Sequence, residues 1–378
     1  MNIILIGPAY PYRGGLATYD ERLVQEFQKE EHNVQIYTFT LQYPSFLFPG
    51  KTQYSDRKYP ENITIKRKIN SCNPFNWIKI GKEIKKIKPD IILFRYWMSF
   101  MAPCFGTIAR IARKNKHTKI ISIVDNMIPH EKRFFDNVFS KYFVKPVDGF
   151  IAMSESVLKD IEQFKNTDNK KFAPHPLYDN FGEKIEKQEA LQCLSLESKY
   201  NYLLFFGLIR DYKGLDILIE AFADKRLREF PVKLVIAGEF YSNPEPYYEL
   251  IEKYNLSENI ILKAEFVADD DVKYYFSAAD LIVQPYKSAT QSGVTQIAYH
   301  FEKPMLVTNV GGLSEMVPHM KVGYVTEPTA KSIADALVDF YENTPDFSRE
   351  ITIEKQKYFW SNITDAVIQL AEKNESTK

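Results

Sequence analysis

The chain has few cysteines and no excess of either charge, and both features limit what it can be. Its three cysteines, Cys72, Cys104 and Cys193, lack the spacing of a metal site or of a disulfide framework. So low a count is typical of a reducing compartment, and we therefore expect a cytoplasmic protein. Lysine and arginine together number 49, as do aspartate and glutamate, so no overall field favours nucleic acid as a partner.

Long apolar runs and the glycine pattern of dinucleotide-binding proteins are also missing. No run reaches the ~18–20 apolar residues that a membrane-spanning helix needs. The apolar start is too short for a signal peptide and has no basic leader, so it predicts a first strand over Ile3–Ile6. We therefore expect at most a peripheral contact with a membrane. The pattern GxGxxG is absent, which argues against a dehydrogenase.

Short apolar runs alternate with amphipathic helical stretches through both halves of the 378-residue chain. This length suits two domains of roughly 150–200 residues. Strand–helix alternation predicts a doubly wound α/β domain in each half, with helices on both faces of a parallel sheet. The predicted domains are 1–180 and 181–352, followed by a helix within 353–378, and the polar stretch Tyr178–Lys199 is the predicted hinge. Two such sheets predict a ligand cleft at their carboxyl ends.

Two predicted strand ends carry the features of an anion site. Gly14 and Gly15 precede a helix, where glycine lets a ligand approach the backbone and the helix N-terminus offers free N–H groups. A plain tight turn explains these glycines equally well. After the strand Tyr202–Phe206, Arg210 and Lys213 stand before the next helix, which favours a diphosphate site. The alternative is a solvent-exposed basic turn.

The loop Ser288–Val294 is a third candidate anion site. It follows the predicted strand Leu281–Val283, and its small and hydroxyl-bearing residues open a helix. Ser292, Gly293 and Val294 would then present backbone N–H groups to a phosphate. Simple capping of the helix by a hydroxyl of this loop is the alternative.

His130 is the candidate catalytic residue of the first half. It lies with Asn126 in the loop after the predicted strand Ile120–Val124, and catalytic groups gather at such strand ends. There His130 could contact a substrate hydroxyl or carry a proton. A lone histidine is more often a structural hydrogen-bonding group, so both roles remain open.

Two charged segments have a simpler structural explanation. Asp269–Asp271 could bind a metal, but it directly precedes a predicted helix whose dipole acidic residues stabilise. We therefore expect no metal site. The basic segment Trp77–Lys88 could rest on anionic lipid. A surface helix that turns Ile80, Ile84 and Ile87 toward a core is the favoured explanation.

The second half resembles the nucleotide-sugar-binding domain of the retaining glycosyltransferases of family 4, which have two Rossmann-like domains facing a central cleft (the GT-B fold). The matching stretches are FFGLIRDYKGLDILIEAF (Phe205–Phe222), VIAGE (Val235–Glu239), YYFSAADLIVQPY (Tyr274–Tyr286) and KPMLVTNVGGLSEMV (Lys303–Val317). Their order and separation both fit the family. The first half matches more loosely, through the two glycines and the His130 loop.

The resemblance implies roles for the candidate anion sites. Arg210 and Lys213 would hold the donor diphosphate, with the backbone at Gly14, Gly15 and Ser292–Val294 near the same phosphates. Contacts with the base, the ribose or the sugar are implied for a further set of residues. These are Glu239, Phe266, Val267, Gln291 and Asn126.

Two more expectations follow from the resemblance. His130 would lie near the transferred sugar. The C-terminal helix would cross back onto the first domain, with Phe359 and Trp360 at the crossing. No cofactor is implied beyond the nucleotide-sugar donor, and transfer is expected to be independent of metal.

The chain departs from the family in the donor loop. The family usually carries two glutamates there, separated by seven residues, one near the donor sugar and one on the ribose. The corresponding positions are Ala289 with Ile297, or Thr290 with Ala298 one residue further on. Neither alignment supplies a carboxylate, although Gln291 and Gln296 offer neutral hydrogen-bonding groups nearby.

The sequence therefore predicts a retaining glycosyltransferase, of a hexosyltransferase-like kind. Its donor would be a UDP- or GDP-sugar and it would act on a glycan or lipid-linked acceptor, in bacterial cell-surface polysaccharide synthesis. Two alternatives remain open. One is a catalytically degenerate nucleotide- or glycan-binding protein, suggested by the missing glutamates, and the other is a nucleotide-sugar epimerase on the same scaffold.

Overall fold

The chain divides into two units. Unit 1 comprises Met1–His175 with Trp360–Lys378, and unit 2 comprises Pro176–Phe359. The predicted boundaries, after residues 180 and 352, lie a few residues away from these. Leu177 and Tyr358 both belong to the core of unit 2, where the Leu177 N–H donates to the Tyr358 carbonyl at 2.9 Å. The computed structural model describes residues 1–44, 53–55, 57–128, 135–289 and 292–373.

Unit 1 is built on a parallel sheet. Its strands are β1 (Asn2–Ile6), β2 (Asn33–Leu41), β3 (Thr64–Asn70), β4 (Ile91–Tyr96), β5 (Lys119–Val124), β6 (Gly149–Ala152) and β7 (Lys170–Phe172). Their order across the sheet is β3-β2-β1-β4-β5-β6-β7, with neighbours parallel throughout. Ile3 and Leu5 of β1 enter one core and Ile4 and Ile6 another, because successive side chains of a strand point to opposite faces. Both faces of the sheet are therefore covered.

Helices form these two layers. They are α1 (Gly15–Lys29), α2 (Pro74–Ile87), α3 (Ala102–Ala112), α4 (Asp136–Val144), α5 (Glu155–Glu162) and α14 (Trp360–Glu372). The helices α1 and α14 share one core, and α2 to α5 share the other. Ile80 and Ile84 of α2 are buried as predicted, but the prediction for Ile87 is wrong, since it is 44% exposed. The helix ends at this residue, and Lys88 turns the chain with a φ of 53°.

Unit 2 repeats the scheme with a second parallel sheet. Its strands are β8 (Asn201–Phe206), β9 (Val232–Ala237), β10 (Ile260–Lys263), β11 (Leu281–Gln284), β12 (Met305–Thr308) and β13 (Gly323–Thr326), in the order β10-β9-β8-β11-β12-β13. Its helices are α6 (Lys187–Cys193), α7 (Leu215–Phe222), α8 (Glu245–Lys253), α9 (Val272–Ala278), α10 (Gly293–His300), α11 (Leu313–Met316), α12 (Ala330–Asn343) and α13 (Ser348–Lys355). The predicted pair of doubly wound parallel sheets is thus confirmed.

Two predictions about the segments that join the units are corrected. The predicted hinge Tyr178–Lys199 contains α6, whose Ala190 and Leu191 are buried in the core of unit 2. The predicted last helix over 353–372 is interrupted, because α13 ends at Lys355 and α14 begins only at Trp360. The polar composition of Tyr178–Lys199 does not indicate the helix α6. The helical periodicity of the C-terminal segment continues through the interruption between α13 and α14, so the pattern does not reveal it.

Trp360 anchors the start of α14 in unit 1. Its ring packs against Tyr19 with the centroids 4.8 Å apart, and the Arg22 guanidinium lies 5.0 Å from its centroid. Phe359, predicted as its partner at the crossing, belongs to unit 2 and is 40% exposed. Within the described ranges, no helix has the length and apolar character that crossing a membrane requires.

Candidate functional site

A cavity of about 270 Å³ opens in unit 2. Residues that follow β8 and β11, together with the first turn of α10, form most of its wall. The carboxyl ends of parallel strands meet at one edge of a sheet, and ligands of such sheets bind at that edge. The chain thus brings together here two of the segments in which the sequence predicts an anion site.

Lys213 is the charged group of the cavity wall. It is only 8% exposed, and no carboxylate of the described residues lies within ion-pair distance of its ammonium. Its Nζ instead lies 3.5 Å from the carbonyl oxygen of Phe206. Burial, and then the neighbouring charge of Arg210, lowers the pKa of Lys213 to about 8. Burying a cation without a counterion costs free energy, and an anionic ligand bound beside it would offset that cost.

Gly207 makes room for this ammonium. Its φ is +92°, a backbone conformation in which side chains are strained. A Cβ at this position would also stand 3.0 Å from the Lys213 Nζ. The glycine that follows β8 therefore allows the cation to approach the strand end.

Arg210 is the second cation of this turn. Its guanidinium carbon lies 3.9 Å from the ring centroid of Tyr241. Its Nε is buried and, among the described residues, has no hydrogen-bond partner. Arg210 does not line the cavity itself, but its charge acts on Lys213. The two cations therefore form one positive region without a neutralising carboxylate from the described residues.

The first turn of α10 forms the opposite part of the wall. Ser292 caps the helix, since its Oγ accepts a hydrogen bond from the Val294 N–H at 3.2 Å. The hydroxyl of Tyr286 lies 3.2 Å from the same Oγ. Ser292, Gly293 and Val294 all line the cavity, so capping and a phosphate site are compatible here. Gln291, predicted beside them, lies outside the described residues.

Sequence reasoning missed Lys287, which connects the segment after β11 to the turn after β8. Its Nζ pairs with Asp211 at 2.7 Å and with Asp216 at 2.9 Å, and its N–H donates to the Tyr212 carbonyl at 2.7 Å. The turn between β8 and α7 is thereby tied to the end of β11. The position of Lys287 shortly after a predicted strand was the available signal, but its partners Asp211 and Asp216 lie in a distant segment of the sequence.

The aromatic wall of the cavity was also missed. Tyr178, Phe181, Phe206 and Tyr286 all line it. Tyr178 and Phe181 lie in the segment predicted as a hinge, which hid their role. A Cβ on Gly293 would meet the Tyr178 ring at 3.1 Å, so the helix start packs closely on this wall.

Three residues of unit 2 predicted to contact the base, ribose or sugar do not line the cavity. Glu239 is exposed, and its carbonyl oxygen accepts a hydrogen bond from the Ile209 N–H at 2.8 Å. Phe266 is 71% exposed, and Val267 packs partly against the core. None of the three lines the cavity.

In the first of the two alignments, the positions of the missing glutamates are apolar, and in the second Thr290 lies outside the described residues. Ile297 is buried and lines the cavity, while Ala289 packs against the core without lining it. Gln296, predicted as a neutral substitute, is buried away from the cavity, and neither polar atom of its side chain has a partner among the described residues. No carboxylate therefore belongs to the described part of the cavity wall.

Three of the remaining predicted residues belong to unit 1, and one more lies outside the described residues. Gly14 precedes α1 with a φ of +105°, and Gly15 is the first residue of that helix. A Cβ on either would meet nothing within 4 Å, so both face open space. Asn126 is exposed in the segment after β5. His130 falls in the gap between 128 and 135, outside the described residues.

A buried polar cluster lies at the start of the Asn126 segment. Arg95 donates from Nε and Nη2 to the two carboxylate oxygens of Asp125, at 2.8 and 2.6 Å. Asp20 is fully buried nearby, and burial raises the pKa of its carboxyl group well above the usual range. Sequence reasoning missed this cluster, although an arginine inside the apolar run of β4 was a signal. The bidentate pair fixes the residue at which this segment leaves the sheet.

The turn Asp269–Asp271 directly precedes α9, as the sequence predicts. Acidic residues there stabilise the start of the helix. Over the described ranges, no group of three or more His, Cys, Asp or Glu side chains is placed to hold a metal ion.

Comparison with known proteins gives this site its context. Residues 13–173 match the family described as Glycosyltransferase Family 4, and residues 186–358 match Glycosyl transferases group 1. An uncharacterized glycosyltransferase of Methanocaldococcus jannaschii is 25% identical over 323 residues, which are 84% of this chain and 81% of that protein.

Solved structures share the fold over the whole chain. A glycosyltransferase from Rickettsia africae has a TM-score of 0.69 at 16% identity, covering 100% of this chain and 99% of its own. HepE from Anabaena, solved in complex with UDP, has a TM-score of 0.67 at 16% identity, covering 99% of each chain. With one family matched in each unit, the chain belongs to the GT-B glycosyltransferases, and the resemblance to family 4 is confirmed.

Proposed function

We propose that the protein transfers a sugar, with retention of configuration, from a nucleoside diphosphate sugar to a glycan or lipid-linked acceptor. The observation that carries this proposal is the cavity of unit 2, in which the buried ammonium of Lys213 has no carboxylate partner among the described residues. A diphosphate supplies the negative charge that this arrangement lacks. HepE, which shares the fold, was solved with UDP, and we propose a UDP- or GDP-sugar for this chain.

The main catalytic task is to stabilise the departing nucleoside diphosphate. Lys213 and Arg210 provide two positive charges, and the first turn of α10 adds backbone N–H groups and the positive end of its dipole. These groups suffice in principle to balance the charge that develops on the phosphate. We therefore propose that transfer is independent of metal.

Retention requires attack on the face from which the diphosphate departs, or two successive inversions. No carboxylate belongs to the described wall of the cavity, so a nucleophile for a double inversion is not evident there. We propose the same-face route, in which the leaving phosphate takes the proton of the acceptor hydroxyl. His130 would then contact the transferred sugar.

The proposed setting is the synthesis of bacterial cell-surface polysaccharide. We propose a cytoplasmic protein, which the free thiols of Cys72, Cys104 and Cys193 support. A lipid-linked acceptor would hold the protein at the inner face of the membrane during transfer.

A degenerate nucleotide-binding protein is the second candidate. The apolar side chain of Ile297 in the cavity wall, which one of the two alignments places where the family usually has a glutamate, favours it. Such a protein would bind the nucleoside diphosphate without turnover. An epimerase would instead convert the nucleotide sugar to an isomer.

One pair of measurements separates these functions. A thermal-shift panel of nucleoside diphosphates and their sugars identifies the base, because a ligand that binds only the native state raises the melting temperature. The selected nucleotide sugar is then incubated without acceptor. Slow release of the nucleoside diphosphate, unaffected by EDTA, is the expected result. Binding without release would favour the degenerate protein, an isomeric nucleotide sugar the epimerase, and loss of release in EDTA would contradict metal independence.

A further inference from the structure

Three neighbouring helices of unit 1 concentrate positive charge on one side of its sheet. The segments 73–88, 102–116 and 136–145, which contain α2, α3 and α4, carry eleven lysines and arginines against two acidic residues. The whole chain carries 49 of each sign. On the other side of the same sheet, α1 and α14 carry five acidic and two basic residues. The basic residues of these three segments are therefore concentrated on one side of the sheet, although the net charge of the protein is zero.

The two acidic residues of these segments do not neutralise the exposed lysines. Glu83 accepts hydrogen bonds from Tyr37 and from Lys68 of β3. Asp136 is buried and accepts a hydrogen bond from Ser99. Both carboxylates are thus hydrogen-bonded to residues outside the three segments, and among the described residues neither pairs with a lysine of α2, α3 or α4.

Most of the basic side chains are exposed and form no ion pair with a described carboxylate. They are Lys79, Lys82, Lys85, Lys86, Lys88, Lys114, Lys116, Lys141 and Lys145. Of the two arginines, Arg113 pairs with Asp148 at 2.9 Å, and Arg110 packs 3.7 Å from the ring centroid of Tyr142. We call the exposed side of α2, α3, α4 and residues 113–116 the basic face.

Close helix packing makes the basic face one surface. A Cβ on Gly81 of α2 would stand 2.8 Å from the Cβ of Ile111, and one on Gly106 of α3 would stand 2.7 Å from the Tyr142 ring. The two glycines therefore let α2 and α4 approach α3 from either side. The surface ends at α5, where acidic residues outnumber the single lysine.

Bulky apolar side chains are exposed among these cations. Phe75 is 84% exposed and Val138 67%, and Ile78 and Tyr142 are exposed to a lesser extent. Along α2, the outward residues Phe75, Ile78, Lys79, Lys82 and Lys86 follow the helical repeat, so the apolar group lies in the first turns and the lysines follow it. Exposed apolar side chains of this kind become stabilising only when a binding partner removes them from water.

We propose that the basic face docks on the surface of a bilayer that contains anionic lipids, with Phe75 and Ile78 entering the boundary between headgroups and acyl chains. Lysines beside an anionic bilayer are attracted electrostatically, and apolar side chains on the same helix add burial in the interface. A nucleic acid duplex would use the charge but would leave Phe75 and Val138 in water. This docking is independent of which sugar the protein transfers.

Vesicle co-sedimentation tests the proposal without any enzymatic assay. The intact protein is mixed with vesicles of phosphatidylcholine alone, or with roughly one third phosphatidylglycerol, in about 0.1 M and about 1 M salt. The test variant combines Lys79→Gln, Lys82→Gln, Lys85→Gln and Lys86→Gln. A matched control combines Lys225→Gln, Lys253→Gln, Lys321→Gln and Lys331→Gln, which removes the same charge from exposed lysines of unit 2. Melting temperatures confirm that both variants are folded.

The wild type should bind the anionic vesicles and not the neutral ones, and 1 M salt should weaken binding because the Debye length falls to about 3 Å. The test variant should lose about 100-fold in affinity, since each lysine near the surface contributes to binding, and the control should stay close to the wild type. Phe75→Ala should lower affinity without changing the salt dependence.

Three results would overturn the proposal. The wild type could fail to bind anionic vesicles, or the two quadruple variants could lose affinity equally. Binding to duplex DNA that exceeds binding to vesicles would assign the basic face to a polyanion instead. Each of these results leaves nucleoside diphosphate binding by unit 2 unaffected, so the proposed function is judged separately.

Discussion

Lys213 carries a buried charge that the described residues do not neutralise, and its surroundings make its protonation sensitive to pH. Burial and the charge of Arg210 both disfavour the ammonium form, which lowers the pKa of Lys213 to about 8. A bound diphosphate favours that same form. Binding and protonation of this side chain are therefore linked.

Substitution of the two cations should weaken binding. Lys213→Ala and Arg210→Ala are each expected to cost about 1.5–3 kcal/mol in affinity for the nucleoside diphosphate, because a sheltered charge-assisted contact is lost. Calorimetric titration measures the change. Lys331→Ala, at an exposed lysine of the same unit, is the matched control and should bind normally. Unchanged affinity in both cation variants would remove them from the site.

The affinity should also fall with rising pH. At about pH 7 and below, Lys213 is already mostly protonated in the free protein, so this linkage no longer lowers the affinity. Above pH 8 the free protein must take up a proton to bind, and affinity should drop about tenfold by roughly pH 9. Titrations in buffers of different ionisation enthalpy detect this uptake. Lys213→Arg stays charged and should flatten the profile, and a wild-type profile as flat as that of Lys213→Arg would contradict the linkage.

At the scale of elements, the turn between β8 and α7 positions the cations. Gly214 precedes α7 with a φ of +68° and packs against the end of β11. Lys287 ties the same turn to the loop after β11 through Asp211 and Asp216. The cavity is formed by the loops after β8 and β11, so its shape depends on the close approach of these two loops at Gly214 and Lys287.

Gly214→Ala should destabilise the turn and the site together. The new Cβ would stand 2.0 Å from the Pro285 carbonyl oxygen, in a conformation that side chains rarely adopt. We expect a loss of about 2–4 kcal/mol in the free energy of unfolding. Gly15→Ala is the control, since its Cβ meets open space and its melting temperature should be unchanged. Equal melting temperatures for the two variants would show that the close approach at Gly214 is unimportant.

At the scale of the whole molecule, the two units are expected to contribute different steps. Unit 2 contains the diphosphate cavity, whereas the candidate proton carrier His130 belongs to the sequence of unit 1. A residue that acts in the transition state affects the rate more than ground-state binding. Binding and turnover should therefore separate by mutation.

His130→Ala should lower turnover about 100-fold while affinity for the bare nucleoside diphosphate stays nearly unchanged. Turnover is measured as sugar transfer or as slow donor hydrolysis, and affinity by calorimetry. His117→Ala is the control, because this exposed histidine of unit 1 pairs with Asp90. Full turnover with a lower melting temperature would identify His130 as a structural histidine.

Much of the fold was predictable because its signals are local. Apolar runs of strand length and amphipathic stretches alternate along the chain, and the helix predicted to follow Arg210 and Lys213 is α7. Glycines and cations at strand ends likewise located Lys213 and Ser292, which line the cavity. Errors arose where polar composition or unbroken periodicity was misleading, as at α6 and at the interruption before Trp360.

Which of these segments meet, and what their meeting does to each side chain, was decided only by the tertiary structure. Strand order brings the end of β11 beside the end of β8, so that Lys287 reaches Asp211 and Asp216. The low pKa of Lys213 comes first from burial, in a cavity wall that also includes Tyr286 and Val294, and then from the charge of Arg210. The basic face is likewise assembled from three separate segments, because the sheet places their helices side by side on one of its faces.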